Sequence, residues 1–333
     1  MVITRTPYRI SFFGGGTDHP KWFLMHGGAV ISTSIDKYCY VSCRNLPPFF
    51  EHKHRIVYSH IETANDTDEI QHPVVRECIK FLGHDEGLEV HHDGDLPARS
   101  GIGTSSSFTV GLLHALHVLN GRTIDKKTLA AQAIEVEQQR IRETVGSQDQ
   151  IAAAYGGFNH ITFHPDGEIT VSPLEVSPEV SAELQCHLML FFTGFTRMAS
   201  LIEKSKIDNF SKREKELSHL MQLVNEARHI LKTGAIQEFG GLLHENWRLK
   251  QSLAEGVTNE VIDSIYEDAL HAGARGGKIL GAGGGGFLLL FVPPSSQPMV
   301  RERLRRLLEI PFKFETEGST VIFNHTTLGG VVP

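Results

Sequence analysis

Residues Gly281–Phe291 read GAGGGGFLLLF, and VPP follows. Inside the run stands G-x-G-x-x-G, the glycine spacing that lets backbone close on a dinucleotide pyrophosphate. The fingerprint does that only when it follows a strand, opens a helix and lies in a βαβ unit of about 30 residues. Here Gly286 leads straight into FLLLFV, an apolar run of strand length closed by Pro293 and Pro294, so no helix dipole follows. The glycines form a side-chain-free turn between two strands. That reading argues against a dinucleotide fold and moves the search for a nucleotide site to the glycines of the first half.

The rest of the chain shows the same irregularity. A strand over Ile3–Phe13 ends in a glycine turn and a short helix, and a second strand covers Ala29–Val41. A polar region runs to about Asp68, a helix lies near His72–Leu82, and a strand over Leu88–His92 leads into a second glycine-rich loop. A helix follows with serines at its start and Gly121 at its stop, another begins after Asp125, and Ile161–Val171 reads as a hairpin. The second half opens with a strand over His187–Phe192, then amphipathic helices around Lys212–Lys232, Ala235–Leu253 and Asn259–His271. Two strands flank GAGGGG, and a helix over Gln297–Leu308 and two short strands finish the chain. Without regular βαβ alternation the fold class is α+β in two halves. The boundary falls in SPLEVSPEVSA, which makes residues 1–180 and 181–333 the expected domains.

Composition narrows the partners. A net charge of −7 over 333 residues, with no lysine/arginine-rich block, gives no footprint for nucleic acid. Any anionic substrate must then be met by local positive charge. The four cysteines form no C-x-x-C pair and imply no disulfide framework, which fits a reducing compartment. No stretch approaches the roughly 18 apolar residues of a membrane span, and MVITRTPYRISFF carries no signal-peptide core, so the expectation is a cytoplasmic protein without a membrane partner. The HHDGD cluster at His91–Asp95 lacks a metalloprotease spacing and sits beside Gly94 and Pro97, which mark a turn-rich strand end rather than a metal site.

Four stretches carry chemistry. In LPARSGIGTSSSFTVGLL, Gly101 and Gly103 allow close approach, and Thr104, Ser105, Ser106 and Ser107 cluster at a helix start. One hydroxyl would satisfy an ordinary cap; four in a row favour a phosphate, held without a Walker A lysine. In the helix after Asp125, Leu129, Ala133, Glu137 and Ile141 share an apolar stripe, while Glu135 points about 200° away from it. A carboxylate there either snorkels to water or meets a cation, and the nearby hydroxyl-rich loop favours Mg²⁺. In GSQDQIAAAYGG, Asp149 could accept a substrate hydroxyl proton or simply cap the helix of IAAAY. In RTPYRISFFGGGTDHP, Arg9 brings positive charge, and Thr17 and Asp18 after the glycines suit sugar hydroxyls, unless GGGTD is only a tight turn.

Together RTPYRISFFGGGTD, LPARSGIGTSSS and GGKILGAGGGGF resemble, in order and over nearly the whole chain, the motifs of the galactokinase, homoserine kinase, mevalonate kinase and phosphomevalonate kinase (GHMP) superfamily. The fuller strings, with GGAVISTSIDKYCYV and VGSQDQIAAAYGGFN, are most similar to its D-glycero-D-manno-heptose 7-phosphate kinases. The resemblance implies an N-terminal α+β domain with an unusual crossover, a ferredoxin-like C-terminal domain, and ATP and sugar between them. It also implies phosphorylation of an anomeric hydroxyl, giving a 1,7-bisphosphate for nucleotide-activated heptose and surface polysaccharide synthesis. By position, Ser105 and Glu137 match the Mg²⁺-ATP ligands, Asp149 the catalytic aspartate, Arg9 the basic residue facing it, and Asp18 the sugar-contacting acid. Pro97, Arg99, Ser100, Gly101, Gly103, Thr104, Ser105 and Ser106 then make the nucleotide loop. Gly15, Gly16, Thr17, Asp18, Arg197, Gly283 and Gly284 face the sugar. Arg197, Arg99 and Arg275 are candidates for the sugar's own phosphate. The Glu137-to-Asp149 spacing departs from that of mevalonate kinases, so the intervening loop must absorb a residue. A fucose- or galactose-like substrate, a non-catalytic sugar sensor on the same fold, and a homodimer all remain open on sequence.

Overall fold

The computed structural model describes residues 1–194 and 199–325. In chain order the first half contains β1 (Val2–Phe13), α1 (Pro20–His26), β2 (Gly28–Asn45), β3 (His54–Val57), β4 (Ile61–Ala64), α2 (Pro73–Leu82), β5 (Leu88–Gly94) and α3 (Thr104–Leu119). Then follow α4 (Lys126–Glu135), α5 (Gln148–Tyr155), β6 (Phe158–Phe163) and β7 (Ile169–Pro173). The second half contains α6 (Pro178–His187), β8 (Leu188–Gly194), α7 (Ala199–Asp208), α8 (Glu214–Thr233), α9 (Ile236–Ser252) and α10 (Glu260–His271). It closes with β9 (Gly276–Ile279), β10 (Gly286–Phe291), α11 (Gln297–Arg303), β11 (Leu308–Glu309), β12 (Phe314–Glu315) and β13 (Thr320–Asn324).

The 18-residue β2 is the spine of a nine-stranded sheet among the described residues. It pairs antiparallel with β1 along most of its length, with β6 at one end, with β5 at the other, and with β12 between. Register shifts in β1 after Pro7 and after Ser11 bend the strand, as extra residues in a ladder do. The parallel pair β3–β5 is made by a crossover through β4 and α2. Helix α3 lies across the sheet, buried on most of its surface. Gly111 permits that closeness, since a Cβ there would stand 2.9 Å from the Thr6 hydroxyl, and Thr4 donates to the Gly111 carbonyl at 2.9 Å. The N-terminus of α3 is thereby aimed past β1 toward the second half.

The second half carries an antiparallel sheet in the order β11-β8-β10-β9, with β9 and β10 forming the hairpin that joins across GAGGGG. The two halves share apolar core: Phe12 and Phe13 of β1 meet the Phe239 ring of α9 edge-on at 5.5 and 5.2 Å. A second cluster around Trp247, Ile265 and Leu290 lies wholly in the second half.

Several elements differ from the sequence expectation. β3 and β4 occupy part of the polar region, and α6 starts in the stretch expected to be a linker, where the Ser177 hydroxyl accepts from the Val180 N–H and Pro178 takes the first turn. The serines after Gly103 are not caps. Gly103 itself is the cap residue of α3 and the hydroxyls lie inside its first turn. The helix after Asp125 changes to a π-helical turn over Val136–Arg140. Three short strands, not two, end the described chain, and two of them, β12 and β13, add to β2 and β1. The expected boundary at 180/181 falls inside α6, so we propose domains of 1–177 and 178–313, with residues 314–324 returning to the first sheet.

Candidate active site

A cavity of about 700 Å³ opens between the halves. Its first wall is the loop before α3. The Arg9 N–H on β1 donates to the Ile102 carbonyl at 3.1 Å, and the Phe287 N–H on β10 donates to the Ser100 carbonyl at 3.2 Å, so both sheets hold this loop. Gly101 and Gly281 touch backbone to backbone: a Cβ on Gly281 would stand 2.4 Å from the Gly101 Cα, and one on Gly101 would stand 2.5 Å from the Leu280 carbonyl oxygen. Both have positive φ. First-turn N–H groups of a 16-residue helix have no intrahelical partner, and Thr104, Ser105 and Ser106 line the cavity beside them. This donor set fits a nucleotide's phosphates. Arg99 and Arg142, both left-handed without being glycine, stand on the same cavity, where held backbone strain tends to collect.

Glu137 sits in the π-helical turn and is fully buried. Its Oε1 accepts from the Thr109 hydroxyl at 2.6 Å, and its Oε2 accepts from the Ser106 hydroxyl at 2.9 Å and from the Gln150 amide. Burial pushes its carboxyl up to about 7, against the pull of these donors and with a smaller push from Glu143. A divalent cation would relieve that cost, and a carboxylate beside the Ser106 and Thr109 hydroxyls is an oxygen set that suits Mg²⁺. The structure bonds Glu137 to Ser106, whereas Ser105 is exposed in the same cavity.

Across from the α3 terminus, Arg9 and Asp149 make a forked pair: Nε donates to Oδ1 at 2.8 Å and Nη2 to Oδ2 at 2.7 Å. Nη1 donates to the Gly101 carbonyl at 2.6 Å. Asp149 lies in the first turn of α5 and Arg9 is 4% exposed on β1. Asp18 lies in the same cavity and accepts from the Gly16 N–H at 2.9 Å and the Gln148 N–H at 3.3 Å. Burial raises the Asp18 carboxyl, and the nearby Asp149 charge adds to the rise.

The cavity therefore gathers Arg9, Gly15, Gly16, Asp18, Arg99, Gly101, Gly103, Thr104, Ser105, Ser106, Glu137 and Asp149. Other expected residues stand outside its lining. Thr17 is buried, with its hydroxyl on the Gly14 carbonyl at 2.8 Å, because it closes the glycine turn. Ser100 is buried and donates to the Pro97 carbonyl at 2.6 Å, so both residues shape the loop from behind. Gly283 and Gly284 pack toward Val257, and the part of GAGGGG that reaches the cavity is Gly281 and Ala282. Arg275 is exposed and is not among the lining residues. Arg197 lies outside the described residues.

Sequence reasoning missed Lys206, Asn246, Lys250 and Lys278, all of which line the cavity from the second half. A signal was there for two of them: Asn246 and Lys250 continue the stripe set on α9 by Phe239, Leu243 and Trp247, the argument that singled out Glu137. Lys278 stands in a four-residue strand with no period to read, and α7, which carries Lys206, was not expected.

Sequence profiles of the GHMP kinases N terminal domain and the GHMP kinases C terminal match residues 72–157 and 227–310. The D-glycero-alpha-D-manno-heptose 7-phosphate kinase of Campylobacter jejuni is 30% identical over 92% of this chain and 93% of its own. The bifunctional fucokinase/GDP-fucose pyrophosphorylase of Arabidopsis thaliana is 26% identical over 92% of this chain, which spans 31% of that longer protein. Among solved structures, a D-glycero-D-manno-heptose 1-phosphate kinase from Bacteroides thetaiotaomicron superposes with a TM-score of 0.79 over 98% of this chain and 100% of its own, at 22% identity, and shares the fold. The chain belongs to the GHMP kinase family, and it is a phosphotransferase. Within that family its relatives place it among the sugar kinases.

Proposed function

We propose that this protein transfers the γ-phosphoryl group of ATP to the anomeric C1 hydroxyl of D-glycero-D-manno-heptose 7-phosphate, giving the 1,7-bisphosphate. The observation that carries the reading is the position of the Arg9–Asp149 pair against the phosphate-cradling loop. A Cβ on Gly103 would stand 3.3 Å from the Arg9 side chain and 3.6 Å from the Asp149 carboxyl carbon, so acceptor and donor ends of one reaction meet there. The C1 oxygen forms the new O–P bond, its proton passes to Asp149, and the bond to the β-phosphate breaks with its electron pair leaving on ADP. Arg9, fixed by Asp149 and by the Gly101 carbonyl, offsets charge on the transferring group. Glu137, with Ser106 bonded to it and Ser105 on the same cavity, would hold Mg²⁺, whose charge offsets that of the triphosphate. Asp18, tied down by two backbone N–H groups, orients a sugar hydroxyl by accepting from it.

The test is ADP release coupled to a dehydrogenase, run over a panel of sugars and sugar phosphates, with ³¹P spectra of the product. The heptose 7-phosphate should give the highest kcat/KM and a second phosphomonoester at C1. A preference for another acceptor, or phosphate on another carbon, would reject the assignment. The fucokinase relative supports a second reading, a fucose- or galactose-like acceptor, and the same panel decides between them.

A further inference from the structure

Two buried cations in the cavity make no ion pair among the described residues. Lys250 of α9 is 6% exposed, and its ammonium donates to the Ile279 and Gly281 carbonyls at 2.9 and 2.5 Å. Lys278 of β9 is 3% exposed and donates to the Phe12 carbonyl at 2.7 Å. Of six ammonium N–H donors, three are spent, and all three go to carbonyl oxygens. Two other cations of the cavity are already paired, Arg9 with Asp149 and Lys206 of α7, 5% exposed, with Glu203, and Arg99 and Arg142 line it as well. Beside them Asn246 is 1% exposed and lines the cavity with an Oδ1 that has no hydrogen-bond partner.

This group lies beside Arg9, whose charge acts on both lysines, on the Asp18 side of it. The Glu203 charge acts on Asp18 and the Lys206 charge on His19, while the groups acting on Glu137 are Glu143 and its hydroxyl and amide donors. Burial, then the Arg9 and Lys206 charges, pulls the Lys278 ammonium down to about 7, and burial and Lys278 pull Lys250 well below the ordinary lysine range. An incoming anion stabilises such a pair as ammonium.

We propose that Lys250 and Lys278, with Lys206 and Asn246 beside them, form a subsite for the phosphomonoester already carried by the acceptor sugar. A dianionic phosphate matches two ammonium groups in charge and takes their remaining N–H donors. Asn246 Oδ1 accepts from a neighbouring sugar hydroxyl. The subsite makes the enzyme select phosphorylated over neutral sugars, and Arg99, one of the arginines considered from sequence, lines the same cavity. It rests on the sugar-kinase reading of the cavity.

Two measurements test it. On the unaltered enzyme, inorganic phosphate is titrated against ATP and against the sugar phosphate; it should compete with the sugar phosphate and not with ATP. In Lys278→Gln and Lys206→Gln, KM for the sugar phosphate should rise about ten- to a hundredfold. KM for ATP and for the same sugar without its phosphate should stay within about threefold, a change too small to reflect a lost charge-assisted bond. Phosphate competing with ATP, an unchanged KM for the sugar phosphate in both variants, or an equal rise in KM for ATP would overturn the proposal. Preference of the unaltered enzyme for a different sugar phosphate, lost in the variants, rejects the heptose assignment and supports the subsite. Preference for neutral sugars rejects the subsite and leaves the kinase standing.

Discussion

Asp149→Asn is the most informative single change. The residue it alters holds a guanidinium that is 4% exposed and makes three bonds, two of them to this carboxylate. Asparagine keeps one acceptor and turns an amide N–H toward the other guanidinium N–H, so one charge-assisted bond and the charge pairing are lost. For a pair whose acidic side chain is 26% exposed, that costs about 2 kcal/mol of stability, short of the roughly 3–5 kcal/mol for breaking a fully buried pair. The catalytic loss is separate: removing the proton acceptor should lower kcat by about 10²–10⁴, or roughly 3–5 kcal/mol of barrier. Nucleotide affinity should change by less than about threefold, since no phosphate-loop donor is touched. The assay is coupled ADP release at saturating substrates, with ATP binding by calorimetry and melting temperature as the control for folding. A paired Arg9→Met change completes a double-mutant cycle, in which the two losses in kcat should be far from additive because the pair acts as one unit. A folded Asp149→Asn enzyme that turns over within tenfold of the unaltered one would refute the mechanism, and additive losses would refute the idea of a unit.

Glu137→Gln should remove Mg²⁺-dependent turnover, as chelation with EDTA should in the unaltered enzyme, yet it should spare the ligand-free fold. Burial raises this carboxyl to about 7, so the native state binds the extra proton between about 4.5 and 7 and loses stability as pH rises through that window, by about 3 kcal/mol; urea midpoints at pH 5 and 8 should show a smaller fall in the variant, which keeps only the share of Asp18 and Glu143, than in the unaltered protein. Lys278 runs the other way. Its ammonium is depressed to about 7, so the unfolded chain binds more protons between 7 and about 10.5 and the ligand-free protein gains stability over that range, a gain that Lys278→Met should reduce to the share of Lys250 in a urea series extended to pH 10. Gly281→Ala places a methyl 2.4 Å from the Gly101 Cα at a φ of 68°, and should cost about 2–4 kcal/mol in thermal unfolding and raise KM for ATP; an unshifted melting temperature would mean the two loops do not bear on each other.

Much of this is legible in the chain itself. The strand-glycine-strand pattern of GAGGGGFLLLFVPP predicts the β9–β10 hairpin, because a helix cannot start into six apolar residues closed by two prolines. Periodicity set Glu137 on a stripe, and the structure places it wholly inside. Both depend on spacing along one element, which a sequence carries in full. Other features depend on how elements meet. Ser105 and Ser106 are neighbours about 100° apart on one helix turn, and only the packing of α3 against the π-helical turn decides that Ser106 faces Glu137. Gly281 rather than Gly283 or Gly284 reaches the cavity because the loop before α3 lies against that end of the hairpin.

The sequence by itself determined the α+β class, the glycine turns, the hydroxyl-rich helix start and the two carboxylates, since each is a matter of local geometry and polarity. Only the tertiary structure decided that Arg9 forks onto Asp149, 140 residues away, and that β12 and β13 return to the first sheet. It alone brought Lys250 and Lys278 into one cavity with no ion pair to either among the described residues. Long-range pairs leave no period in a chain; they exist only once apolar burial has set the two halves face to face.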